Sequence, residues 1–180
     1  MAFFIYAYRI ADPPVQGSLM SRSTVQFLLT ATNTTLIHAG GSALAHHLRI
    51  AISPEHLAST CFPRSPPSAS DIENAITVVE DAIMMALREA ERKPEFPPEL
   101  QTDTETFALL TRALGMHDVN AIELSIESVE HAFSQLADIA NGAPSGRSAI
   151  PLDALSVAHL VLLREVMHHL HFTSLRGAAR

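Results

Sequence analysis

The segment REVMHHLHF, Arg164–Phe172, sets a glutamate and three histidines into an otherwise apolar stretch. Carboxylate and imidazole are the side chains that ligate divalent metals and exchange protons near neutral pH. Glu165 and His168 have the E-x-x-H spacing, which brings the two side chains together one turn apart on a helix. With Glu80 and Glu130 from two other helical stretches they form a candidate divalent-metal set. Carboxylate-bridged centres are assembled in this way inside helical bundles. The chain offers no second E-x-x-H, so the set would hold one metal, not a symmetric pair. The simpler alternative is a carboxylate–imidazole contact beside histidines that a helix C-terminus favours.

His159 is a separate candidate. It falls near the middle of an apolar helical face, as a general base or ligand in a dry pocket, or as a core histidine bonded to backbone. His38–Ser42, HAGGS, could turn a strand into a helix N-terminus, a geometry that binds anions. It lacks the lysine of a phosphate-binding loop.

Four helices are expected to carry these residues. Ser70 and Glu73 form a capping-box pattern that opens the first, running to about Lys93. Asp103 opens the second, which Gly115 stops. Asp118 opens the third, ending at Asn141–Gly142. Asp153 opens the fourth, which runs to about Phe172. On that last helix Leu155, Leu163, Val166, Met167 and Leu170 centre one apolar face. Val157, Val161 and Phe172 make the opposite side apolar too, so they are the expected interface residues.

A shift of fifty residues places IENAITVVEDAI, Ile72–Ile83, on IELSIESVEHAF, Ile122–Phe133. Glu73 falls on Glu123 and Glu80 on Glu130, which suggests a duplicated helical hairpin. The expected fold is therefore mainly α, with residues 70–172 as a four-helix bundle of two such hairpins.

Before the bundle, residues 1–61 form an N-terminal segment. Val25, Phe27, Leu29 and Ala31 alternate as in a half-buried strand, and Asn33 could turn a β-hairpin. SALAHHLRIAI, from Ser42, reads as a short helix stopped near Pro54. Residues 62–69, rich in proline and serine, form a linker, and 173–180 a tail.

The composition is 47% hydrophobic and 17% charged, with a formal charge of −7. Ordinary soluble domains carry roughly 25% charged residues, so the deficit points to apolar surface buried in a homodimer or against a protein partner. The acidic balance disfavours nucleic acid. Cys61 is the single cysteine, which leaves no internal disulfide and fits a reducing, cytoplasmic setting. No run reaches the roughly 18 apolar residues of a membrane span. The expected function is a non-catalytic helical oligomerisation, adaptor or regulatory protein without a cofactor. The alternative is a small metal-dependent hydrolase with a His/Glu pocket in the bundle and a divalent metal.

Overall fold

The computed structural model describes residues 24–38, 46–90, 94–116 and 122–178. Its element order is β1 (Val25–Leu29), β2 (Thr34–His38), β3 (His46–Ile50), α1 (Pro54–Cys61), α2 (Ala69–Glu89), β4 (Glu99–Thr102), α3 (Thr104–Ala113), β5 (Glu123–Ser125), α4 (Ile126–Ala140), α5 (Ala154–His169) and β6 (Ser174–Gly177). The strands form one six-stranded mixed sheet in the order β3-β2-β1-β4-β6-β5. β1, β4 and β6 run parallel, β2 is antiparallel to β1 and to β3, and β5 is antiparallel to β6.

Alternating side chains put one row of each strand on the same face. Direct pairing links Leu48 to Leu36 and Leu36 to Phe27. It also links Val25 to Leu100, Leu100 to Leu175 and Leu175 to Leu124. All seven are buried. The sheet thus has a continuous apolar face, and at about 25 cal/mol per Å² that burial is a main stabilising term.

α5 is the central helix, in contact with α1, α2, α3 and α4. Val157 through Leu163 are buried without a break, and so are Glu165, Val166 and Met167. A helix apolar all round belongs inside a fold. This corrects the expected interface: Val157 and Val161 have no exposed surface and Phe172 retains 2%, so the second apolar side is covered within the chain.

The four-helix bundle is likewise overturned; the fold is α/β. The duplicated hairpin fails with it. Glu73 is the fifth residue of α2, whereas Glu123 lies in β5 and pairs with Arg176 at 3.0 Å. A shared 3.6-residue apolar period accounts for the other matches.

The missed strands are short and pair with partners distant in sequence. β4 and β6 have four residues each and β5 has three, too few to display a period of two. The stretch expected as a helix from Ser42 instead contains β3, whose Leu48 and Ile50 face the core. Pro54 does not stop a helix there. It occupies the first turn of α1, where its missing N–H costs nothing, and Ser53 caps that helix.

Other helix ends keep close to expectation. Asp103 caps α3, Asp153 caps α5, and Asn141 ends α4. The capping box of α2 is formed by Ser68 and Asp71 rather than Ser70 and Glu73, and Ser125 caps α4. Asp118 and the glycine turn of HAGGS lie outside the described residues. Among the described residues no helix is long and apolar enough to cross a membrane.

Candidate functional site

Parallel strands in an open sheet present ligands at their C-terminal ends, where the backbone leaves the sheet. Here β1 ends at Leu29 and β4 at Thr102. Between those ends lies a cavity of about 380 Å³, lined by Leu29, Thr30, Ala31, Glu55, Asp103, Glu105, Thr106, Leu109 and His159.

Three buried hydroxyls brace its frame. Thr102 Oγ1 donates to the Phe27 carbonyl at 2.8 Å, tying β4 to β1. Ser53 Oγ donates to the Ala31 carbonyl at 3.0 Å, and Thr34 Oγ1 to the Ile52 carbonyl at 2.9 Å. These two bonds hold the start of α1 against the turn between β1 and β2. Within that turn Thr30 N–H donates to the Asn33 carbonyl at 3.0 Å.

Asp103 accepts from Thr106 N–H at 2.8 Å and from Thr106 Oγ1 at 2.7 Å. The backbone bond from Thr106 is the main reason its carboxyl titrates below the ordinary value, against the opposing effect of burial. Asp103 is therefore a fixed anion beside the cavity.

His159 comes from α5 and keeps only 7% of its surface exposed. Its Nδ1 lies 2.8 Å from the Leu155 carbonyl. A carbonyl only accepts, so Nδ1 carries the proton and Nε2 of the neutral ring has a free lone pair. Burial pushes the imidazole pKa below its ordinary value, outweighing the Leu155 bond and the charges of Glu55 and Asp153. The sequence candidate His159 thus faces a cavity as a neutral ring. Its partners Thr30, Glu55, Asp103 and Glu105 were not picked out as a site. Asp103 carried a helix-cap signal, and only the pairing of β1 with β4 brings the others together.

The metal candidates on α5 lie six to ten residues beyond His159, about 9–15 Å at 1.5 Å per residue. Glu80, Glu165 and His169 offer ligand atoms that all lie within 4.8 Å of one another. His168 is not part of this group. Its side chain is more than half exposed, with Nδ1 3.8 Å from Glu130 Oε1. Glu130 pairs instead with Arg164, whose Nε is 3.1 Å away. Arg164 Nη1 also donates to the fully buried Glu165 Oε1 at 2.6 Å, and its guanidinium stacks 4.9 Å from the Phe133 ring centre. Burial opposes the charge on Arg164, but Glu165 and Glu130 raise its pKa overall.

The fold, not the sequence, connects this chain to known proteins. No family model matches the sequence, and no curated protein matches it. Solved structures do match. An enzyme described as the PPX-GPPA enzyme of Aquifex aeolicus superposes with a TM-score of 0.61 at 11% identity, over 87% of this chain and 53% of that one. An exopolyphosphatase-like protein superposes with a TM-score of 0.62 at 15% identity, over 90% and 57%. An exopolyphosphatase from Cytophaga hutchinsonii gives 0.57 at 14% identity, over 86% and 53%.

The fold is Ppx/GppA-like. The chain spans just over half the length of these three structures. At such identity the likeness establishes the fold alone, and the expected helical bundle gives way to an α/β fold.

Proposed function

We propose that this chain takes part in hydrolysing a phosphorylated substrate, at the cavity between the C-terminal ends of β1 and β4. The observation that carries the reading is His159, held neutral with Nε2 unprotonated beside a polar cavity. The names of the fold's neighbours, exopolyphosphatase and phosphatase, support a phosphoanhydride or phosphate ester as the substrate class.

In this reading His159 Nε2 accepts a proton from the attacking water. The Leu155 carbonyl fixes the ring's tautomer and direction, and Glu55 favours the imidazolium as it forms. Thr30 and the turn after β1 form the wall against which a phosphate would rest.

The described lining includes three carboxylates and no lysine or arginine, so a bare phosphate would be repelled. The donor set suits a hard divalent cation such as Mg²⁺, which binds one or two carboxylates and completes its shell with waters and phosphate oxygens. Glu55, Asp103 and Glu105 are the residues that would hold it, and when bound it would neutralise phosphate charge.

The test is release of inorganic phosphate from polyphosphate and from a nucleoside triphosphate, with and without Mg²⁺. Wild type should release phosphate only with the cation. His159→Ala should lower the rate by about 10²–10⁴-fold, the usual contribution of a general base. Release that is absent, or unchanged in His159→Ala, would overturn the proposal.

A further inference from the structure

We propose that Glu80, Glu165 and His169 form a second site, which binds a transition-metal ion of the zinc class at the C-terminal end of α5. Glu165 provides the leading observation. Its side chain has no exposed surface and Arg164 holds its Oε1, yet no hydrogen bond is directed at its buried Oε2. A buried carboxylate oxygen without a partner is costly, and native structures rarely leave one.

That oxygen points at His169 Nε2, 3.3 Å away, and the same nitrogen lies 3.1 Å from Glu80 Oε1. One imidazole nitrogen carries at most one proton. It can donate well to one carboxylate, and in the shorter contact, to Glu80 Oε1, it leaves the buried Glu165 Oε2 unsatisfied. A metal ion removes the conflict, because all three atoms become ligands.

The spacing suits this. Tetrahedral zinc with bonds of about 2.0–2.1 Å has ligand–ligand edges of about 3.3 Å. Two edges therefore exist already. The third closes by a small movement of Glu80, whose side chain is 43% exposed.

Charge favours the same answer. Arg164 is shared between two carboxylates, Glu130 and Glu165, while the carboxylate of Glu80 is paired with His169. A divalent cation balances the excess. An imidazole ligand selects a transition metal over Mg²⁺ or Ca²⁺. His169 also lines a mostly apolar cavity of about 600 Å³ with Met84, Leu87, Arg88, Phe96 and Leu170, so one of the three ligands borders an open approach.

The test is calorimetric titration of the metal-stripped whole chain with Zn²⁺, alongside the visible spectrum with Co²⁺, which absorbs strongly only in four-coordinate sites. With Mg²⁺ in excess to fill the carboxylates of the phosphate cavity, wild type should bind one Zn²⁺ at this site and give the intense Co²⁺ band. His169→Ala and Glu80→Gln, both at partly exposed positions, should each weaken binding roughly tenfold or more and abolish the band. His159→Ala and Glu105→Gln should change neither, which separates this site from the phosphate cavity. The proposal fails if wild type binds no Zn²⁺ or if binding and band survive both site variants. It also fails if His159→Ala or Glu105→Gln removes them.

Discussion

At the scale of single residues, His159 links stability to chemistry through one proton. Burial holds its folded pKa below the ordinary 6.5, so on acidification the unfolded chain takes up that proton first. The sign follows from linkage: its contribution is complete above pH 6.5 and is lost as pH falls from there through the depressed folded value. His159→Phe, which removes the titrating group, should show a smaller loss of denaturation free energy between pH 7.5 and pH 5 than wild type. Phosphate release should behave in parallel, flat through neutral pH and falling only below about 6.5 as Nε2 is protonated. Equal acid sensitivity in both proteins, read from chemical denaturation, would contradict the tautomer and burial assigned to this ring.

Among the elements, α5 determines how the two candidate sites relate. It carries His159 near one end and Glu165 and His169 near the other, so the core helix is also the spacer between them. Substitutions along it should divide by face. Val161→Glu places an unpaired carboxylate where no surface is exposed, a change expected to cost more than about 4 kcal/mol. Circular dichroism should find it unfolded or melting far below wild type. Leu155→Glu, at a position 42% exposed, should stay within about 0.5 kcal/mol of wild type. A folded, monomeric Val161→Glu protein would instead restore the interface expected from the sequence.

For the molecule as a whole, stability should be graded outward from the sheet and α5. β1 and β4 lie inside the sheet with partners on both sides, and α5 touches four helices. β3 and β5 are edge strands, and β5 has only three residues. Native-state hydrogen exchange should therefore be slowest in β1, β4 and α5, approaching global unfolding, and faster in β3 and β5. The same experiment with Zn²⁺ should slow exchange at the C-terminal end of α5 if the second site is occupied. Uniform protection across the sheet would contradict this ordering.

What the sequence determined by itself was local. Asp103 and Asp153 signal helix starts because a short acidic side chain reaches backbone N–H groups within its own turn. The period of 3.6 marks the apolar stripes of α2 and α4, and alternation marks β1. Glu80, Glu165 and His159 were also legible as candidates, because their residue types and helical positions are local properties. The choice of His169 over His168 was not, since it depends on which ring faces α2. The sheet was decided only in three dimensions. β4, β5 and β6 are stabilised by partners as far as 75 residues away, as in Glu99 with Ser174, and a run of three or four residues has no pattern of its own. The cavity shares that origin: Thr30, Glu55, Asp103 and His159 meet only because β1 pairs with β4 while α5 packs beneath a covering of four helices. Long-range pairing and burial set these positions, and neither is written in the neighbourhood of any one residue.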